Sequence, residues 1–205
     1  MLIQIVVFEG FDELDAIAPW EVFSMAARRV RDWKVEFVTV DGAERVVAAN
    51  GLKLQLEPTR LGLERRPDLL LVPGGGWADR SSRGARAEAA RGVLPAAIAE
   101  LHQAGTIIAS VCTGAMLVAA AGLFRGRSAA THHLAQADLK AYGAEVIAAR
   151  VVDDGDLLSA GGITSGLDLA LWIIERILGP EIAAEVSQRL EYERRGTVWR
   201  RSEGN

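Results

Sequence analysis

The chain is expected to fold as α/β: a doubly wound, mostly parallel sheet with helices on both faces. Strands and helices alternate along nearly its whole length, the order that builds parallel crossover units. Its strands are continuous apolar runs rich in β-branched residues, as strands covered on both faces must be. Several strands also end in loops rich in glycine or reactive side chains, at the edge of an open sheet where ligands bind.

Leu2 to Phe8 is the opening core strand. Pro19 to Val30 sets Trp20, Phe23, Met25 and Ala27 among polar residues and predicts a helix, and Lys34 to Val40 the next strand. Val46 to Leu56, broken by Asn50-Gly51, has a hairpin's pattern and turn chemistry. Asp68 to Val72 is a buried strand running into Pro73-Gly74-Gly75-Gly76. Arg86 to Ala104 reads as one helix stopped by Gly105, and Thr106 to Ser110 as a strand. Thr113 to Ala121 is a helix of small residues ended by Gly122. Beyond it come a short strand at Ala129 to Thr131 and a helix from Leu134 to Tyr142. Glu145 to Val152 is a strand that turns at Asp153-Asp154-Gly155 into Leu157 to Ala160. Ile163 to Leu178 is an amphipathic helix, Gly179-Pro180 breaks it, and Glu181 to Leu190 is the last helix. One domain over residues 1–192 is expected, with a charged C-terminal tail at 193–205 that is solvated or frayed.

With 205 residues, half of them hydrophobic, the chain can bury a full core. A formal charge of −4, without basic blocks interleaved with aromatics, argues against a nucleic-acid partner and for a small molecule. A single cysteine precludes an internal disulfide. The start has no basic n-region, and Glu9 and Asp12 interrupt it too soon for a membrane span, so a cytoplasmic protein is expected. One cysteine and scattered histidines lack the ligand spacing of a zinc site, and no metal or organic cofactor is expected.

Cys112 stands where the apolar run Ile107 to Val111 stops and a helix-forming run begins. Helix-start amides there would favour a thiolate, which is how a nucleophile is built; a small buried hydrophobe is the competing reading. Gly74 and Gly75 can bring backbone N–H groups close to a developing negative charge, although such runs also serve simply as turns. Asp15 can act as an acid or base beside the thiol, or cap a helix. Glu21 is equally a helix-start carboxylate stabilised by the dipole. His132 and His133 follow a predicted strand; on extended backbone they point to opposite faces, so at most one can face a site and serve as a base.

Taken in order, these segments resemble the ThiJ/PfpI superfamily, within the class I glutamine amidotransferase-like, flavodoxin-like fold. The residues that carry the resemblance are Leu14-Asp15 with Pro19 and Glu21-Val22, Pro73-Gly74-Gly75, Ser110-Val111-Cys112-Thr113-Gly114, Ala120 to Leu123, Ala130-Thr131-His132 and Gly161 to Asp168. Asn50-Gly51-Leu52, Gly155 to Leu158 and Leu190-Glu191-Tyr192 are similar to the isocyanide hydratase subgroup. Two departures stand out: Ala16-Ile17-Ala18 replaces the Thr-Gly usual before the proline, and His133 replaces a common aromatic.

The resemblance implies a homodimer with a nucleophilic Cys112 on a strained elbow and an acidic partner at Asp15. It also implies substrate or oxyanion contacts from Gly75 and Thr113. The activity it implies is hydration of an isocyanide to an N-formamide through a Cys112 thioimidate. Its rivals are a cysteine hydrolase or amidase, whose acyl transfer would want His132 as base, a glyoxalase-like enzyme, and a non-catalytic redox sensor or ligand-binding module. Against the last two stand the absence of a second, resolving cysteine and the few residues after Leu190, too few for a helix-turn-helix pair.

Overall fold

The computed structural model describes residues 1–201; the last four residues of the expected tail lie outside it. Five parallel strands form the body of the main sheet: β1 (Leu2–Val6), β2 (Lys34–Val38), β5 (Leu69–Val72), β6 (Ile107–Val111) and β10 (Leu157–Ala160). Two further strands, β9 (Val151–Asp153) and β11 (Val198–Arg200), run antiparallel to these and complete the order β2-β1-β5-β6-β10-β9-β11. The expected α/β class and doubly wound sheet are thus found. Its apolar strands form the core: Ile3, Ile5, Leu69, Leu70, Leu71 and Ile108 are all fully buried.

Helices α1 (Glu13–Ala27), α6 (Ser165–Leu178) and α7 (Pro180–Arg189) pack together on one face. The other carries α2 (Ala85–Arg91), α3 (Val93–Gln103), α4 (Gly114–Ala120) and α5 (Gln136–Ala141). The predicted hairpin is β3 (Arg45–Val47) with β4 (Lys53–Gln55), and Gly51 takes a left-handed φ of 95° in its turn. Glu13 ties that turn to α1, accepting from the Asn50 N–H and side chain at 2.8 Å each.

Several boundaries differ from expectation for identifiable reasons. Helix α1 begins six residues earlier than predicted, because Asp12 caps it through the Leu14 N–H and Pro19 lies inside the helix. The helix predicted over 86–104 is two helices, divided at Gly92 with φ 75°. The strand predicted over 145–152 is also divided. Its first part, β8 (Glu145–Val146), pairs with β7 (Ser128–Ala129) in a separate small sheet. Helix α6 starts at Ser165, after Ile163 at φ 33°. The tail is not simply solvated: β11 extends the main sheet, and Arg201 pairs with the buried Asp154. Among the described residues, no helix is long and apolar enough to cross a membrane.

The order reverses at β1, with β2 on one side and β5 on the other, so the loops after β1 and β5 diverge and leave a crevice at their carboxyl ends. Close backbone contact closes its floor: a Cβ on Gly114 would lie 2.1 Å from the Val72 carbonyl oxygen. Since neither atom belongs to a flexible side chain, Gly114→Ala should cost about 1–3 kcal/mol and lower the melting temperature by roughly 3–10 °C. Thermal denaturation followed by circular dichroism checks this; an unchanged transition would contradict the contact.

Candidate active site

Cys112 follows the central strand β6 at φ 57°, a left-handed backbone that a non-glycine residue holds only where its surroundings enforce it. They do so from both sides. Its N–H is shared between the carbonyls of Ala160 (3.1 Å) and Gly161 (3.0 Å), and its own carbonyl accepts from the Thr131 hydroxyl at 2.8 Å. The elbow brings the side chain to Asp15, and Cys112 keeps only 5% of its surface exposed.

Asp15, in the first turn of α1, is fully buried and faces the thiol. One carboxyl oxygen accepts the Gly74 N–H at 3.0 Å, and no nitrogen or oxygen donor among the described residues reaches the other. Burial pushes this carboxyl well above its ordinary 3.8, and the nearby Asp12 adds to the rise. Burial, and then a charge on Asp15, push the Cys112 thiol up to about 12, while the N–H groups of Ile163 and Thr113 act in the opposite sense. The expectation that helix-start amides alone would favour a thiolate is therefore corrected: in this dry site desolvation outweighs them. The two ionisations are coupled, since the charge on Asp15 that opposes the thiolate vanishes when Asp15 holds a proton.

The glycine turn also differs from expectation. Gly75 donates its N–H to Thr113 Oγ1 at 2.9 Å, and Gly74 donates to Asp15, so both amides expected at an oxyanion already have partners. Their function here is positional. The turn is wedged between helix starts by the Asp12 N–H on the Gly74 carbonyl (2.8 Å) and the Ala85 N–H on that of Gly75 (2.7 Å). A Cβ on Gly74 would approach Thr113 Oγ1 to 2.4 Å, so only glycine lets the turn reach Thr113. Thr113 joins the two halves: its hydroxyl holds the turn and its N–H reaches the sulfur.

His132 forms no hydrogen bond with Cys112. Its Nδ1 accepts the Leu134 N–H at 3.3 Å, its ring lies 4.3 Å from that of His133, and its edge closes on Gly162. Burial, then His133, lower it below its ordinary 6.5, which keeps the imidazole neutral at neutral pH. Glu21 is not brought to the pair: it is half-buried, about 120° round α1 from Asp15, with no side-chain hydrogen bond among the described residues. Sequence reasoning missed Asp12 and Ile163. Asp12 is raised by burial and coupled to Asp15, Cys112 and His132. Ile163 lies within a motif noted above, but nothing in its side chain announces a positive φ. Among the described residues, no three His, Cys, Asp or Glu side chains converge as a metal site.

The family model for DJ-1/PfpI matches residues 1–176. The chain is 32% identical over 202 residues to the isonitrile hydratase of Pseudomonas putida, covering 94% of this chain and 79% of that protein. It is 28% identical over 190 residues to the HTH-type transcriptional regulator CdhR of Pseudomonas aeruginosa, covering 88% of this chain but 52% of the regulator. Among solved structures, a ThiJ/PfpI family protein from Pseudomonas syringae superposes with a TM-score of 0.83 at 26% identity, over 95% of this chain and 76% of that one. Drosophila melanogaster DJ-1beta gives 0.79 at 22% identity, over 94% and 98% of the two chains, a likeness of fold.

The raised carboxyl of Asp15 has a consequence for stability. As pH climbs above the ordinary 3.8, the unfolded chain loses this proton while the folded protein keeps it. Stability then falls by about 1.4 kcal/mol per pH unit until the folded group ionises. Asp15→Asn retains an acceptor for Gly74 and lacks this loss. Its melting temperature relative to wild type should therefore be higher at pH 7 than at pH 4, as measured by calorimetry at both values; an equal difference at both would contradict the raised carboxyl.

Proposed function

The chain belongs to the DJ-1/PfpI family, and we propose that it is a cysteine-dependent enzyme that hydrates an isocyanide (isonitrile) to an N-formamide. The observation that carries this reading is that a buried carboxyl, and not an imidazole, faces the chain's one cysteine. The similarity to a protein named isonitrile hydratase across 94% of the chain supports it.

An isocyanide is a neutral electrophile whose terminal carbon must gain both a nucleophile and a proton. As Sγ bonds to that carbon, the thiol's proton passes to Asp15, and Asp15 delivers a proton to the carbon. The product is a neutral thioimidate, R–N=CH–S–Cys112, so the dry site never has to hold two negative charges. Water then bonds to the same carbon while Asp15 moves a proton from it to nitrogen. The C–S bond of the resulting adduct breaks as its hydroxyl proton returns, by way of Asp15, to sulfur. The sum is R–NC plus water giving R–NH–CHO, with thiol and carboxyl restored.

The N–H groups of Ile163 and Thr113 serve the brief negative charge on sulfur. An acyl-transfer hydrolase would instead need His132 as its base, and that ring is engaged with Leu134, His133 and Gly162.

Purified protein should convert para-nitrophenyl isocyanide to the formamide, read by chromatography. Cys112→Ala should abolish conversion, Asp15→Asn should slow it at least about 100-fold, and His132→Ala should keep it within about an order of magnitude. No conversion by wild type over hours, or equal rates in wild type and Cys112→Ala, would overturn the reading.

A further inference from the structure

Asp168 is 3% exposed on the first turn of α6, with both carboxyl oxygens occupied. One accepts from Arg150 Nε (2.8 Å), Arg150 Nη2 (2.6 Å) and the Tyr192 hydroxyl (3.0 Å); the other accepts the Arg195 N–H at 2.9 Å. The chemistry proposed above uses none of these groups. They nevertheless lead directly to the sulfur. Arg150 also donates to Thr164 Oγ1 at 3.2 Å, and its carbonyl accepts the Gly161 N–H at 3.0 Å. Residues 161–164 form the loop from β10 into α6, and Cys112 shares its own N–H with the Gly161 carbonyl.

Within that loop Ile163 has φ 33°, a conformation a β-branched residue keeps only when flanking contacts over-determine it. Its N–H acts on the Cys112 sulfur, and the next residue, Thr164, accepts from Arg150, which Asp168 holds. Gly166 in the same turn packs tightly, since a Cβ there would lie 3.3 Å from Pro19 and from Val111. The loop is therefore held between the elbow and a charged anchor that draws on the C-terminal segment.

We propose that Asp168 is a positioning residue for Cys112: by fastening Arg150, Tyr192 and the Arg195 backbone to α6, it holds the strained Ile163 turn against the sulfur. Without this anchor the turn relaxes and its N–H leaves the sulfur, although no residue touching Sγ has changed. The inference rests on Cys112 being the nucleophile of the proposed reaction. It is tested by alkylation of the thiol, so its failure is distinct from failure to hydrate an isocyanide.

The test compares the pH profile of Cys112 alkylation by iodoacetamide, read by intact-mass spectrometry, in wild type, Asp168→Asn, Tyr192→Phe and Arg194→Ala. Arg194 pairs with Glu175 from the same segment without touching Asp168, so it controls for loosening of the C-terminus. The ionisable groups about the sulfur, Asp12, Asp15 and His132, are intact in all four proteins. Loss of one N–H donor to sulfur should move the Asp168→Asn profile to higher pH by about one unit, and Tyr192→Phe by less in the same direction, while Arg194→Ala keeps the wild-type profile. A superimposable Asp168→Asn profile, faster alkylation at every pH without a shift, or an equal shift in Arg194→Ala would overturn the proposal. Should Asp168→Asn fail to fold, Tyr192→Phe decides alone, and an unshifted profile in it overturns the proposal.

Discussion

Two acidic groups that share a dry pocket can hold one negative charge between them, and the rest of the site is arranged around that constraint. Asp15 is fully buried and Cys112 nearly so, and each charge raises the free energy of the other. A proton is thus kept in the pair and can be passed within it. Such a pair suits a neutral electrophile that must be protonated as it is attacked. It suits poorly a reaction that leaves an anion waiting for an external donor.

Backbone, more than side chains, maintains this pocket. The left-handed elbow at Cys112 is held by hydrogen bonds to its own N–H and carbonyl, one of them from the Thr131 hydroxyl. Gly74 and Gly75 spend their amides on Asp15 and Thr113, which fixes the acid and the residue beside the nucleophile from one turn. The mixed sheet places these parts together because β1, β5, β6 and β10 all end at the same edge, and the reversal of order at β1 opens space there. The family scaffold carries different roles, as the relation to a transcriptional regulator as well as to a hydratase illustrates. What distinguishes this chain's chemistry therefore lies in what meets the thiol, and the fold alone does not decide it.

Much of this was legible in the chain. Continuous β-branched runs announced the parallel strands; Cys112 was read at a strand end, Asp15 as a possible acid or base beside it, and Thr113 from the family resemblance, and the structure brings the three together. The missed features share a physical character. Pro19 read as a helix start because proline is favoured there, but the Asp12 cap seven residues earlier prevailed. Gly92 divides a helix whose apolar spacing continues past it. Strand β11 was hidden by the charges around it; Arg200 is accommodated over the Trp172 ring, and Arg201 just beyond the strand pairs with the buried Asp154. Glycine at positions 74 and 75 was read correctly as close backbone approach, but the direction of an N–H depends on tertiary partners that composition does not reveal. The positive φ of Ile163 is of the same kind, since it belongs to a loop whose partners, Cys112 and Arg150, come from distant elements.

The central claim is that burial makes Asp15 hold its proton well above the ordinary carboxylate range beside a thiol that also keeps its own, and infrared difference spectroscopy reads this directly. Wild type minus Asp15→Asn at pH 7 should show the C=O stretch of a protonated, buried carboxylic acid, displaced on transfer to deuterated buffer. Only the paired stretches of an ionised carboxylate in that difference would contradict the account.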